Sequence, residues 1–247
     1  MSVASAIEPT DVLGPALRAL PAAPATARVP APQRPTLPVL PALASLLPGG
    51  ELRRGMTVAV TGSTALALAL LAGPSAAGSW CAVVGVPTLG ARAAAELGVR
   101  LDRLALIPSP GAQWAAAVAA LFDGVDVIAV RPPGRVSGGE ARRLAARARE
   151  RGATLVPLGP WEGAELRLSV SDSQWNGLAA GTGRLHARRL EVSANGRGAA
   201  AKPRHAALWL PDGDGGVSAA TDLPADLPRL HRAERRRSRA INTSVAG

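Results

Sequence analysis

Short apolar runs rich in β-branched residues alternate with stretches of helical periodicity through the middle of this chain, and that alternation narrows the fold most. The runs are Met56 to Thr61, Ser79 to Val86, Leu104 to Ile107, Val125 to Val130 and Thr154 to Leu158. Between them, Thr64 to Leu71, Leu89 to Leu97, Ala112 to Phe122 and Ser137 to Arg151 carry helical patterns. Gly98 and Gly152 stop two of these helices, and Ser137-Gly138-Gly139-Glu140 opens the last with a capping box. Val125-Asp126-Val127-Ile128-Ala129-Val130 has no polar interruption after Asp126, as expected of a strand covered on both faces of a parallel sheet. Strand and helix in alternation imply βαβ crossovers and an α/β fold. Beyond Gly159 the rhythm changes. Leu166 to Ser171, Arg184 to Ser193 and Ala206 to Leu210 read as strands joined by Gly-rich turns, extending the sheet as antiparallel hairpins.

The stretch Gly49 to Gly73 has the outline of a nucleotide-binding strand, turn and helix, without its phosphate chemistry. A phosphate-binding loop needs G-x-x-x-x-G-K-[ST], in which the lysine neutralises phosphate charge and the hydroxyl binds magnesium. Counted from Gly62, the last three positions are Ala67, Leu68 and Ala69. The chain's only lysine is Lys202, far downstream. Gly62, Ser63 and Thr64 therefore read as a degenerate loop, with Thr64 expected to cap the following helix or satisfy backbone groups and Gly73 to Gly78 expected to form a loop.

A net charge of +10 permits anionic partners. The helix from Ser137 carries Arg142, Arg143, Arg147, Arg149 and Arg151 opposite Ala141, Leu144, Ala145 and Ala148, which reads as a solvated arginine face and, alternatively, as a DNA or acidic-partner surface. Trp161 and Trp175 lie in the Gly-rich region, where one reading is stacking on single-stranded bases and the other is cover for the core. Cys81 is alone and sits in an apolar run, so it reads as a buried structural thiol, and a disulfide framework or a Cys-rich zinc site is excluded. His186, His205 and His231 have no metal-ligand spacing, and no nucleophilic or zinc-hydrolase motif occurs. The run from Met56 to Ala72 is shorter than the roughly 20 residues of a membrane span and is interrupted by polar residues, and no signal architecture opens the chain. A cytoplasmic protein without a membrane segment is expected.

Four segments follow from composition. Residues 1–20 contain a peg helix with Leu13, Leu17 and Leu20 on one face; 21–41 form a Pro/Ala-rich, semi-rigid linker; 42–211 are the core; 212–247 are a basic tail carrying Arg235, Arg236 and Arg237.

Several local strings resemble the RecA recombinase superfamily, and more closely the ImuA-type mutasome accessory proteins, from about Leu40 to Leu210. Leu46-Leu47-Pro48-Gly49-Gly50-Glu51-Leu52-Arg53-Arg54-Gly55 looks like the Leu-rich, Gly-Gly and basic-spacer entry of such cores. Thr64-Ala65-Leu66-Ala67-Leu68 looks like their first helix, and Ala95-Glu96-Leu97-Gly98-Val99 with Leu101-Asp102-Arg103-Leu104 like the segment before their third strand. The resemblance implies a three-layer core, a mostly parallel central sheet extended by antiparallel C-terminal strands. It also locates three departures. The lysine is missing, no carboxylate lies near Val86-Pro87 where a catalytic acid is expected, and the strand ending at Val130 runs into Arg131 where an aspartate should hold magnesium. An arginine there repels Mg²⁺. The expectation is a non-enzyme without cofactor or metal. By resemblance it is an adapter in damage-induced translesion synthesis, bridging to a Y-family-polymerase-like partner and through it to an error-prone polymerase and a sliding clamp. The alternatives are a regulator of RecA filaments or of cell division, like SulA, and a direct DNA-binding protein.

Overall fold

Residues 35–179 and 182–220 are described by the structure, a computed structural model. The chain enters through a ribbon in which β1 (Thr36–Leu37) pairs antiparallel with β2 (Leu52–Arg53), and then forms β3 (Val58–Thr61). Four βαβ steps follow: α1 (Thr64–Ala76), β4 (Cys81–Val84), α2 (Ala91–Glu96), β5 (Leu104–Ile107), α3 (Trp114–Leu121), β6 (Val127–Val130), α4 (Gly138–Arg151) and β7 (Thr154–Pro157). The long hairpin of β8 (Leu166–Ala179) and β9 (Thr182–Gly196) comes next, then β10 (Arg204–Trp209) and β11 (Ser218–Ala219).

One half of the sheet, ordered β5-β4-β6-β7, is parallel throughout. The other half, β3-β8-β9-β10-β11, is parallel only between β3 and β8. The halves meet along β7 and β3, where Leu155 N–H donates to Met56 O at 3.0 Å and Gly159 N–H to Val60 O at 2.9 Å.

Helices cover opposite faces because the crossovers reverse direction. From β3 to β4 to β5 the chain moves toward one edge, and from β5 to β6 to β7 it moves back; right-handed crossovers then put α1 and α2 on one face and α3 and α4 on the other. The strands alternate to match. Val58, Val60, Cys81, Val83, Val127 and Ala129 pack with α1, whereas Ala59, Ala82, Val84, Ile128 and Val130 pack with Trp114, Val118 and Leu144. Leu66 to Ala72 are all buried, so α1 is apolar all round.

Burial explains where the helix departs from expectation. Instead of giving way to a loop at Gly73, α1 runs on to Ala76 through a buried Pro74. Gly73 is needed there, because a Cβ would lie 2.6 Å from Pro38 O and 2.7 Å from the Val39 Cα. The segment Pro38-Val39, expected in the linker, thus lies directly on the helix, and Leu37 is buried. The fold consequently begins before residue 42 and, through β11, extends past residue 211. From there Leu43, Leu46 and Leu47 pack into the same core as Leu190, Val192 and Leu208 on the antiparallel strands.

The hairpin is longer than its sequence pattern. Ser171-Asp172-Ser173-Gln174 has no apolar alternation, yet backbone pairing with β9 continues past irregularities at Val170/Asp172 and Asn176/Leu178. Hydrophobic periodicity reports burial, and these residues are exposed.

At the N-terminal ends of the parallel strands, Asp126 is 4% exposed. Its carboxylate accepts from Arg54 Nη1 at 2.7 Å and from the Trp80 N–H at 2.9 Å. Arg54→Ala should cost about 3–5 kcal/mol in urea unfolding, since it removes a guanidinium paired with a buried carboxylate. Cys81 is buried, its thiol directed to Leu71 O, and burial pushes its pKa from 9.0 up to about 12. Because the folded value is the higher one, the stability it contributes is complete below pH 9.0 and is lost as pH rises toward about 12. A disulfide-exchange reagent at pH 8 should leave Cys81 unmodified in the native protein and label it on unfolding.

Candidate functional site

The carboxyl ends of β3, β6 and β7 open onto a cleft of about 470 Å³ lined by Val60, Thr61, Gly62, Ser63, Thr64, Arg131, Leu158, Gly159 and Pro160. Ligands of parallel α/β sheets bind outside this edge of the strands. A second cleft, of about 790 Å³, shares Thr61, Leu158, Gly159 and Pro160 and continues past Pro132, Arg135, Trp161 and Arg167.

Ser63, not Thr64, caps α1. Its backbone is extended at φ −155°, ψ 118°, and its Oγ accepts the Leu66 N–H at 3.1 Å. Thr64 is already helical, so its hydroxyl is free to face the cleft, and there Oγ1 accepts from Arg131 Nη2 at 2.7 Å. Arg131 sits at the end of β6, one residue past Val130, held by its N–H on Val84 O at 2.9 Å. The neighbouring turn leaves no room for a side chain: Gly85 has φ +76°, and a Cβ would come within 2.1 Å of Arg131 O.

Magnesium-bound nucleotide does not fit this donor set. No residue lining the first cleft bears a carboxylate, and the hydroxyl that would ligate the metal is taken by a guanidinium. Arg131 keeps the cleft cationic, which suits an anion but repels a divalent cation.

The other candidate residues are not gathered here. Arg142 and Arg143 are exposed on α4, Arg142 lying 3.8 Å from Glu162. Arg147 is tied back, donating from Nε to Ala119 O at 3.0 Å and from Nη2 to both oxygens of Asp123 at 3.2 Å. Trp161 is 4% exposed and meets the Trp114 ring edge-on at 6.4 Å, so it belongs to the core and offers no stacking face. Trp175, on the hairpin, is 39% exposed and carries the Arg188 guanidinium 5.6 Å from its ring centroid. Burial lowers the Arg188 pKa from its ordinary value. Leu13, Leu17, Leu20, His231, Arg235, Arg236 and Arg237 lie outside the described residues.

Two features escaped the sequence reading. The Ser63 cap was legible in principle, as a Ser immediately before an apolar helix. The convergence of Arg53, Arg149 and Arg197 around Glu165, at the opposite end of the sheet, was not, because these residues are far apart in the chain.

The model of the MT3502 N-terminal domain matches residues 45–163, which span β3 to β7 together with both sides of the Arg131–Thr64 contact. Rv3395c, an uncharacterized protein of Mycobacterium tuberculosis, is 37% identical over 163 residues, covering 62% of this chain and 80% of that protein. The chain belongs to one family with Rv3395c. No helix among its described residues is long and apolar enough to cross a membrane, and none of them forms a cluster able to hold a metal ion.

The cap assignment has a measurable consequence. Ser63→Ala should lower stability by about 1 kcal/mol, whereas Thr64→Ala, which loses only an exposed contact to Arg131, should cost less than about half of that in the same denaturant titration.

Proposed function

We propose that this protein is a noncatalytic adapter with a RecA-like core of the ImuA type, acting in damage-induced translesion synthesis beside a Y-family-polymerase-like partner. The observation that carries this reading is the Arg131–Thr64 contact at 2.7 Å. It stands where the resemblance puts magnesium, between the strand end that should bear the metal aspartate and the hydroxyl that should ligate the ion. The three layers, the parallel half of the sheet and the antiparallel C-terminal strands support the RecA-like assignment.

An adapter works by binding two things at once, so its function resides in surfaces. A short peg with Leu13, Leu17 and Leu20, tethered by a Pro/Ala-rich segment, suits docking on a partner core; the tether limits the search volume and raises the effective concentration of the contact. The basic tail with Arg235, Arg236 and Arg237 suits an acidic partner surface. The partner would in turn provide contact with the error-prone polymerase and the sliding clamp. The regulator of RecA filaments or of cell division remains the second reading, resting on the same fold resemblance.

Equilibrium dialysis with ATP and magnesium should show no saturable binding in the micromolar range, and hydrolysis should stay at background with DNA present. Capture with the full chain from DNA-damaged cells should enrich a polymerase-like protein. Micromolar ATP binding would overturn the noncatalytic reading; enrichment of a tubulin-like division protein or of RecA would replace the adapter with the regulator.

A further inference from the structure

At the end of the sheet opposite the clefts, cations from separate elements converge on a single carboxylate. Glu165 precedes β8, and its two oxygens take Arg53 Nη2 at 3.0 Å and Arg149 Nη2 at 3.4 Å. Arg53 ends β2, and Arg149 lies in the last turn of α4. Arg197 follows β9 and is held beside them, its N–H donating to Glu165 O at 3.0 Å and its Nη2 to Gly163 O at 2.6 Å. Next to it Arg204, at the start of β10, donates from Nη1 to Lys202 O at 3.2 Å and from Nη2 to Ala199 O at 3.5 Å.

Glu165 thus pairs with Arg53 and Arg149, while Arg197, Lys202 and Arg204 follow on the adjoining turn and strand. The fold creates this excess. Three of the arginines sit where strands and a helix begin or end, so the topology brings together charges separated by up to 151 residues, Arg53 to Arg204. Glu165 is 26% exposed, whereas Arg53 and Arg149 are 57% and 65% exposed, so the surface seen by a partner is cationic. The guanidinium groups are also pre-positioned. Contacts to Glu165 and to the carbonyls of Gly163 and Ala199 fix them before any ligand arrives, which lowers the entropy lost on binding.

We infer that this pole of the sheet binds the phosphodiester backbone of duplex DNA without reading its sequence. Planar guanidinium groups with free N–H donors match phosphate oxygens in pairs. Among the described residues none of these five cations lies over an aromatic ring, so the cluster itself offers nothing on which to stack unpaired bases, the Arg103–Trp80 pair lying apart beside β4; a duplex, whose bases are already stacked, needs only backbone contacts. Apolar anchors that would insert into a lipid surface are absent from the set as well. The surface is separate from the Arg131 cleft and does not depend on the adapter reading, which concerns nucleotide and protein partner.

The test is fluorescence anisotropy of a labelled duplex of about 20 base pairs with the full chain, the tail included, across 50–200 mM salt. The triple variant Arg149→Gln, Arg197→Gln, Lys202→Gln should bind at least tenfold more weakly at low salt, and its log–log salt slope should fall by about 0.9 for each lost phosphate contact. A charge-matched variant, Arg92→Gln, Arg142→Gln, Arg143→Gln, should stay within about twofold of the parent. Circular dichroism melting of both variants excludes unfolding as the cause, and the double variant Arg149→Lys, Arg197→Lys, which keeps every charge, should retain most of the parent's affinity. The inference is overturned if the two triple variants lose affinity equally, if the first binds like the parent, or if a single strand of the same length binds more tightly than the duplex.

Discussion

Asp126 and Arg54 are the interaction on which the arrangement of the parallel strands depends. The Asp126 carboxylate stands at the foot of β6, takes a hydrogen bond from the residue before β4 and pairs with the arginine between β2 and β3. Its own carbonyl accepts the Thr154 N–H of β7 at 2.7 Å, and Arg54 also donates to Gly152 O, just past α4, at 3.4 Å. Four crossovers are thereby registered at one buried point. The pair is costly to desolvate, and Arg54 Nε finds no hydrogen-bond partner, so it contributes less to net stability than to holding one strand register against others. With the feet of the strands fixed, their carboxyl ends must open together, which is where the clefts form.

Much of this was legible in the sequence because burial writes a period into it. Leu104–Ile107 was bounded as found, and α4 began and ended where Ser137 and Gly152 said it would: Ser137 Oγ accepts the Glu140 N–H at 3.2 Å, and Gly152 is left-handed at φ 65°. Where burial did not vary along an element, the signal failed. The helix α1 is buried on every side, so neither its end nor its passage through Pro74 could be read from a periodic pattern. On β8, Ser171 to Trp175 are exposed at successive positions, so their pairing with β9 left no alternation to detect.

The candidate site divides along the same line. That no lysine follows Gly62 and that Arg131 follows Val130 are local facts, readable from single positions. That Arg131 spans to Thr64, that Gly85 must lack a side chain beside it, and that Trp161 is core are consequences of three strand ends meeting in space. The same holds for the cations around Glu165, which no sequence window contains. The fold places the Arg131 guanidinium against the Thr64 hydroxyl, a contact that no single position announces.

The proposed reading depends on the carboxyl edge of the sheet being unable to accept a magnesium-bound nucleotide, with the guanidinium of Arg131 standing where the resemblance puts the metal. A ligand at a hundred times its dissociation constant would stabilise the native state by about 2.7 kcal/mol, enough to raise the melting temperature by several degrees. Thermal unfolding of the full chain with and without 1 mM ATP and 5 mM magnesium, at concentrations of roughly that order for a micromolar site, measures this directly. The account predicts no change in the melting temperature; a rise of several degrees that disappears when magnesium is chelated would contradict it.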